Sequence, residues 1–186
     1  MIGSELARSF ALKHQPKHEF VHDLRPLHGT KSGHLRARGR LQTVDGARVQ
    51  YAALPYRMLE DPEFLLITSR ETGRWVVPKG WPMKGKNPHA CAAQEALEEA
   101  GVKGRIGKTA IGCYGYVKRM PNNTVVTCSV DIYPLLVERQ LKRWREQGQR
   151  SLGWFSAAEA AGLVNEDELA SVIEVFAATL DRRRAI

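Results

Sequence analysis

The chain has 186 residues, a length typical of one domain, and 43% of them are hydrophobic, which suffices for a core that folds without disulfides. The three cysteines are odd in number and lack metal-ligand spacing, so they favour free thiols in a reducing compartment. No apolar run reaches the roughly 18 residues of a membrane span, and no signal-peptide core is present. We therefore expect a soluble cytoplasmic protein without a membrane partner.

The net charge of +8 favours anionic partners, such as nucleic acid, nucleotides or phosphorylated small molecules. Residues 1–45 are basic and show no sustained hydrophobic period, so we interpret them as an extension that covers the domain or is ordered only in part. The domain itself is predicted to span residues 46–186. Neither the extension nor the basic segment 139–150 alternates several aromatic residues with its cations, so nucleic acid is not the favoured partner. The oligomeric state is left open.

Three short strands are predicted ahead of a helix. Alternation over residues 49–53 indicates the first strand, and Pro55 is expected to end it. The apolar stretches 64–69 and 74–77 flank a turn at residues 70–73 and are predicted to form the next two strands.

The helix that follows has a start signal and a stop signal. Asn87 can cap its N-terminus, and Pro88 suits the first helical position. The helix is predicted to end near Ala100, with Gly101 in the left-handed conformation that commonly terminates helices.

The second half of the chain mixes strands and helices. Residues 112–118 predict a strand, residues 121–124 a turn, and the alternation over residues 126–132 a long strand. Ser156 and Glu159 fit a capping box that opens a short helix.

The last helix is predicted to start near Asn165. Its apolar residues recur at helical spacing and are assigned to the core: Leu169, Val172, Ile173, Phe176 and Leu180. Hairpin turns between successive strands predict a mixed sheet rather than a series of βαβ units.

The first predicted helix carries three glutamates. Successive helical residues turn by about 100°, which places Glu95, Glu98 and Glu99 within an arc of roughly 100°. The other side is apolar and is expected to pack on a sheet: Ala93, Ala96, Leu97 and Ala100. Three close carboxylates repel one another, and a hard divalent cation such as Mg²⁺ converts that repulsion into binding. The alternative is a solvated acidic face paired with Lys103 and Arg105.

The loop before this helix favours the binding site over the solvated face. From Arg74 through Lys86 the sequence contains four basic residues and no acidic one, with Lys79 and Lys84 between them. Gly80 follows a strand end, where a missing side chain allows close approach of the backbone. Cations beside carboxylates can hold a polyphosphate while metals hold the reacting phosphorus. Taken singly, each lysine fits an ordinary exposed position equally well.

This arrangement resembles the signature of the Nudix hydrolases, which runs Gly, five residues, Glu, seven residues, Arg-Glu, an apolar residue, any residue, Glu-Glu, any residue, Gly and an apolar residue. Six defining positions match at the required spacing: Gly80, Glu95, Glu98, Glu99, Gly101 and Val102. Ala96 is a small substitute for the apolar residue. The resemblance covers about residues 46–180.

Two positions depart from the signature. Lys86 stands where the family has a glutamate, and Gln94 stands where it has an arginine. In the family, those two side chains orient the metal-binding glutamates. Losing both together avoids a like-charge clash, and Gln94 can still hydrogen-bond a carboxylate. The resemblance therefore implies an active enzyme whose rate and metal preference depend on these two positions.

The resemblance implies an α/β fold, the Nudix α/β/α sandwich with a mixed β-sheet between helices. It also implies a pyrophosphohydrolase that depends on Mg²⁺ or Mn²⁺, with Glu95, Glu98 and Glu99 as metal ligands. Glu98 and Glu99 are the catalytic candidates. The general base is one of the glutamates, with Glu98 as the first choice, or a carboxylate from a later loop. The substrate-binding candidates are Arg74, Lys79, Gly80, Lys84 and Lys86.

Within the family, residues 78–102 are most similar to the diphosphoinositol polyphosphate phosphohydrolase-like branch, which acts on diphosphoinositol polyphosphates and dinucleoside polyphosphates. The resemblance thus implies a small polyphosphorylated substrate. One alternative is an ADP-ribose or nucleotide-sugar pyrophosphatase. Another is a catalytically silent Nudix domain that binds a nucleotide or RNA as a sensor. Metal-dependent phosphate release separates the enzymes from the sensor.

Overall fold

The computed structural model describes residues 46–120 and 122–182 in full, together with the backbone of residues 183–184. The predicted extension, residues 1–45, lies outside this range. Within the described part, no helix is both long and apolar enough to cross a membrane.

Eight strands and three helices occupy the described residues. In chain order they are β1 (Arg48–Met58), β2 (Pro62–Thr68), β3 (Trp75–Val76), β4 (Lys79–Gly80), α1 (Pro88–Ala100), β5 (Val102–Ile106), β6 (Gly112–Arg119), β7 (Val125–Gln140), β8 (Leu152–Ser156), α2 (Ala157–Leu163) and α3 (Asp167–Arg184). The strands predicted at 64–69, 74–77, 112–118 and 126–132 are confirmed as β2, β3, β6 and β7. The predicted helix is α1, and it ends at Gly101 in the left-handed conformation.

The eight strands form one mixed sheet. The strands β3, β2, β1, β7 and β5 lie side by side in that order, while β4 pairs with β1, β6 with β7, and β8 with β2. The strands β1 and β7 run parallel, and the other pairings among the described strands are antiparallel. The mixed sheet expected from the hairpin turns is therefore confirmed.

Helices pack against both faces of the sheet. Neighbouring residues of a strand point to opposite faces, so the two sides of β1 contact different helices. Leu54 of β1 belongs to a buried core that includes Leu169 and Ile173 of α3. Its neighbour Ala53 belongs to a second core that includes Ala96 of α1. This layering is the predicted α/β/α sandwich, and it places α1 against the face opposite α3.

The two C-terminal helices begin close to where the sequence predicts. The capping box opens α2, since the Glu159 N–H donates to the Ser156 hydroxyl and the Ser156 N–H donates to the Glu159 carboxylate. The helix α3 begins at Asp167, shortly after the predicted start at Asn165. The predicted apolar stripe lies in the core or against it: Leu169, Val172, Ile173, Phe176 and Leu180.

Pro55 does not end β1, contrary to the prediction. The strand continues through it, and Pro55 pairs with Leu135 of β7 in the parallel register. On its other side, β1 pairs with β4 at residues 51–52 and with β2 from Tyr56 onward. On the side of β1 away from β7, Pro55 therefore lies in the gap between the part paired with β4 and the part paired with β2. A missing N–H is tolerated where the pairing is interrupted in this way.

Three strands escaped the sequence prediction: β4, β5 and β8, the last of which directly precedes the capping box of α2. The strand β4 is only two residues long and is defined by its pairing with β1. The strand β5 lies at the sheet edge, and its central residues Lys103, Gly104 and Arg105 are exposed. An exposed, charged edge strand shows no apolar alternation, so the pattern that reveals strands in the sequence is missing.

The buried side of α1 matches the prediction only in part. Ala96 and Ala100 are buried as expected, but Ala92 is buried beside them, whereas Ala93 and Leu97 are only partly buried. The buried side is thus rotated toward Glu99, which is 8% exposed. The three glutamates consequently do not share one solvated face, and at least one of them belongs to the interior.

Candidate active site

A cavity of about 530 Å³ is lined by residues of β1, β4, β6 and α1, by the turn after β2 and by the segment before β8. Its basic lining residues are Arg70, Arg74, Lys79, Lys118, Arg119 and Arg150. Its acidic lining residues are Glu71, Glu95, Glu99 and Glu146. Carboxylates combined with an excess of cations suit a phosphorylated ligand that binds together with a metal ion.

The cavity brings together most of the predicted site residues. Those that line it are Arg74, Lys79, Gly80, Glu95 and Glu99. Lys84 and Lys86 are exposed and Glu98 is partly buried, and none of these three belongs to the lining. Of the predicted lysines, therefore, only Lys79 reaches the cavity.

Glu99 connects α1 to β4. Its Oε1 is ion-paired with Arg150, and its Oε2 accepts a hydrogen bond of 3.0 Å from the Lys79 backbone N–H. Burial raises the pKa of Glu99, while the Arg150 guanidinium and the Lys79 N–H act in the opposite direction. The side chain of this signature glutamate thus links α1 to β4, the strand that carries the signature glycine.

Arg150, which the sequence analysis did not single out, organises the carboxylate side of the cavity. Its side chain is 7% exposed and donates to Thr68 O at 3.0 Å and to Glu146 Oε2 at 2.9 Å, besides its pair with Glu99. Glu146 also lies 3.5 Å from Arg70. Arg150 therefore brings a further carboxylate to the cavity. The sequence does not signal this role, because Thr68 and Glu99 are distant in the chain.

Glu95 lies over Gly80. A Cβ atom on Gly80 would overlap the Glu95 carboxylate, so only glycine leaves room for this side chain. Burial, followed by the repulsion of Glu99 and Glu98, raises the pKa of Glu95 to about 7. A cation next to Glu95 relieves that repulsion. The signature glycine Gly80 and the first signature glutamate Glu95 are therefore coupled, because the glutamate side chain occupies the space that a side chain at position 80 would need.

Replacing Gly80 with alanine is expected to lower kcat/KM about fivefold to tenfold, because the methyl group displaces the Glu95 carboxylate from its position. Thermal stability should change little, since the overlapping atoms belong to a movable side chain and not to the backbone. Initial rates and thermal unfolding of both proteins measure the two effects. Gly115→Ala is the control, because a Cβ there meets only a carbonyl oxygen at 3.9 Å. A less stable but fully active G80A protein would contradict the coupling.

A row of polar side chains crosses the surface of α1. Lys86 Nζ donates to Gln94 Oε1 at 3.0 Å, and Gln94 Nε2 donates to Glu98 Oε1 at 2.7 Å. Glu98 Oε2 is ion-paired with Arg145. The hydrogen bond from Gln94, together with Arg145, lowers the pKa of Glu98. The two departures from the family signature are therefore in contact. The neutral Gln94 side chain orients the signature glutamate Glu98 through a hydrogen bond.

The single variant Gln94→Arg is expected to be less active than the double variant Gln94→Arg/Lys86→Glu. The single change sets a guanidinium against the Lys86 ammonium, whereas the double change restores the opposite charges that are usual in the family. A double-mutant cycle on kcat should give a coupling of at least about 0.5 kcal/mol. Strictly additive effects in that cycle would show that the two side chains act independently.

Lys79 lies over an aromatic ring inside the cavity. Its ammonium is 5.3 Å from the centroid of the Tyr116 ring, and the Tyr116 hydroxyl donates to Gln50 Oε1 at 2.6 Å. Burial lowers the pKa of Lys79 to about 8, an effect that the Glu99 and Glu166 carboxylates oppose. In such a poorly solvated position, a phosphate group favours the charged form of the lysine and is itself bound more strongly than in water.

Sequence reasoning missed the cations of β6. Lys118 and Arg119 line the cavity together with Trp81. Lys118 Nζ lies 5.4 Å and Arg48 Cζ lies 4.9 Å from the centroid of the Trp81 ring, so one indole contacts two cations. The only signal in the sequence is a pair of adjacent basic residues at the end of a predicted strand. Their position beside Trp81 depends on the pairing of β6 with β7.

The helix, its carboxylates and the surrounding cations define the kind of site found in enzymes that act on phosphorylated substrates. A family model described as the NUDIX domain matches residues 49–176. The chain therefore belongs to the Nudix hydrolase family, which confirms the resemblance seen in the sequence.

Curated relatives support this membership. The chain is 28% identical over 149 residues to Nudix hydrolase 13, mitochondrial, of Arabidopsis thaliana, a match that covers 69% of this chain and 73% of the relative. It is 31% identical over 124 residues to human diphosphoinositol polyphosphate phosphohydrolase 3-beta, with 65% and 71% covered.

Solved structures agree on the fold. The Ap4A hydrolase of C. elegans, in a binary complex, matches with a TM-score of 0.55 at 20% identity over 73% of this chain and 98% of that chain. A NUDIX hydrolase from Nitrosomonas europaea matches with a TM-score of 0.56 at 19% identity over 72% and 90%. At these identities, the likeness confirms the α/β/α sandwich alone.

Proposed function

We propose that this Nudix hydrolase is a divalent-metal-dependent pyrophosphohydrolase that cleaves phosphoanhydride bonds in small polyphosphorylated substrates. The observation that carries the proposal is the shared cavity, in which Glu95 and Glu99 face six basic residues. A carboxylate pair alone would suit a free cation, and cations alone would suit any anion. Their combination in one cavity suits a metal ion that is bound together with a polyphosphate.

The residues present fit a divalent cation such as Mg²⁺ or Mn²⁺. In the described range, no three His, Cys, Asp or Glu side chains lie close enough to hold a metal by themselves. Mg²⁺, however, is usually bound through one or two carboxylates plus substrate phosphates, which matches Glu95 and Glu99. Burial, followed by the repulsion of Glu99 and Glu98, raises the pKa of Glu95, and a cation beside it neutralises the crowded charge. Glu98, on the same helix, is the third candidate ligand.

When bound, the metal lowers the pKa of a water molecule and neutralises phosphate charge. The chain then has to accept a proton and hold the anion. Glu98 is one candidate for the base, but it contacts Gln94 and Arg145 outside the cavity lining. Glu146 lines the cavity and is the better placed candidate. Lys79 binds a phosphate from the side of β4.

The cation content of the cavity favours substrates with several phosphates over a single diphosphate linkage. Lys118 and Arg119 extend the positive lining beyond Lys79 and Arg150. The names of the relatives, a diphosphoinositol polyphosphate phosphohydrolase and an Ap4A hydrolase, point the same way. We therefore assign diphosphoinositol polyphosphates or dinucleoside polyphosphates as the substrate class, and no nucleic acid.

The test is product release from a panel that contains a diphosphoinositol polyphosphate, diadenosine polyphosphates, ADP-ribose and a nucleotide sugar. Each is assayed with Mg²⁺, with Mn²⁺ and with a chelator. The proposal expects metal-dependent turnover that is fastest for a polyphosphate. Faster turnover of ADP-ribose or the nucleotide sugar would move the assignment to the alternative enzyme class.

A binding-only sensor is the second candidate, and one observation favours it. Glu98 is held by Arg145 and Gln94 outside the cavity lining, so one signature glutamate is engaged elsewhere. A protein that binds a nucleotide by calorimetry but releases no product from the panel, with either metal, would establish this candidate and overturn the hydrolase.

The cytoplasm is our proposed location. Cys91, Cys113 and Cys128 are all free, which suits a reducing compartment. The plant relative carries a mitochondrial name, so fractionation of cells that express the full chain is the deciding measurement. Enrichment with mitochondria would contradict the proposed location.

A further inference from the structure

One carboxylate reaches the cavity region from the helical layer. Glu166 lies in the turn between α2 and α3, and its Oε1 is 3.1 Å from Arg74 Nη1. The Glu166 side chain is 10% exposed, whereas the next two acidic residues, Asp167 and Glu168, are exposed. Of these three successive acids, only Glu166 turns inward, and it does so against a cation that lines the cavity.

The contact between Glu166 and Arg74 is one-sided. Glu166 Oε2 is buried and has no hydrogen-bond partner in the part of the chain that the structure describes. A bridge that served only to hold the fold together would gain from using both oxygens, because a buried acceptor without a donor is costly. A single contact through Nη1 also leaves other N–H groups of the Arg74 fork for a ligand.

The backbone of Arg74 is fixed, but its side chain needs a partner. The Ser69 N–H donates to Arg74 O at 2.8 Å, directly before β3. Arginine is among the side chains with the most rotamer freedom, and ordering it during binding weakens affinity. A buried carboxylate that orders the guanidinium beforehand removes that cost from the binding step.

We propose that Glu166 is a positioning residue for Arg74, which it holds at the cavity wall so that the guanidinium meets a substrate phosphate in a fixed orientation. The inference rests on the proposed function, in which the cavity binds substrate phosphates. Glu166 acts through Arg74 and does not touch the substrate. Its loss therefore weakens anion binding and raises KM while kcat changes little.

The experiment is isothermal titration of inorganic pyrophosphate into the full-length protein without metal, which measures anion binding independently of hydrolysis. Arg74→Ala is expected to raise the Kd about tenfold, the effect of one lost charged hydrogen bond. Glu166→Gln is expected to raise it by a similar factor. The double variant should bind like Arg74→Ala alone, because Glu166 has nothing left to position.

The control is Glu138→Gln, which removes an exposed ion pair with Arg105 on the sheet edge. Its Kd for pyrophosphate should equal that of the unchanged protein. Glu166→Asp keeps the charge and shortens the side chain, and should raise the Kd by an intermediate factor. It also replaces Glu166→Gln in the cycle if that variant fails to fold.

Three outcomes would overturn the inference. Glu166→Gln could lower the unfolding temperature and leave the Kd unchanged, which would make the pair a fold contact only. Glu166→Asp could bind like the unchanged protein, which would mean that charge and not position matters. Arg74→Ala could leave the Kd unchanged, so that there is no phosphate contact to position. Product release from the substrate panel decides the hydrolase separately from all three.

Discussion

Replacing Glu95 with glutamine is expected to lower kcat by at least about a hundredfold at saturating Mg²⁺, since under the proposed function the variant loses a carboxylate that binds the metal. Glutamine preserves the size of the side chain over Gly80 but lacks the negative charge with which a carboxylate binds a hard cation. Thermal stability should be kept or slightly increased, because the change removes a half-buried charge that Glu99 and Glu98 repel. Steady-state rates over a metal titration and a thermal unfolding scan measure both.

Two further variants show whether the loss belongs to the site. Glu99→Gln should reduce kcat comparably and also lower the free energy of unfolding by about 1–3 kcal/mol, since the buried Arg150 loses one of its two charged partners and keeps only Glu146. Glu138→Gln, in an exposed pair, should leave both quantities unchanged. Near-normal kcat in both the Glu95 and Glu99 variants at saturating metal would remove these residues from the metal site.

Neutralising Lys118 and Arg119 together, as the double alanine variant, is expected to raise KM for diadenosine tetraphosphate about tenfold and KM for ADP-ribose no more than about twofold. Under the proposed function, the longer anion would reach these cations of β6, whereas a single diphosphate would be held by the metal and the residues nearest to it. Initial rates on both substrates give the comparison. The difference should shrink as ionic strength rises, since exposed charges are screened over about 8–10 Å at physiological salt.

The matched control is Lys84→Ala/Lys86→Ala, which removes the same amount of charge from the predicted loop. Both lysines are exposed and lie outside the cavity lining, so KM should change little for either substrate. If the loop variant instead raises KM for the polyphosphate and the β6 variant does not, the phosphate subsite belongs to the loop. That result would restore the sequence-based assignment of Lys84 and Lys86.

The sequence by itself determined the family and most of the scaffold. A helix from Pro88 to Ala100 follows from a start signal, a stop glycine and a run of good helix formers, all of which act locally. The spacing from Gly80 to Glu95 is a local feature of the same kind, and it was enough to identify the Nudix signature. Local signals of this sort can be read from the sequence alone, because they do not depend on residues that are distant in the chain.

Tertiary structure alone decided which side chains share the cavity. Arg150 meets Glu99 and Thr68 only because β2, α1 and the segment before β8 come together, and no periodicity links those positions. The same holds for Lys118 beside Trp81. Tertiary packing also explains why the buried face of α1 is rotated from the expected one. Ala92 and Ala96 pack on the sheet, and this packing draws Glu99 inward. Helical periodicity fixes which residues share a face, but the sheet that the face meets decides which carboxylates are buried and paired.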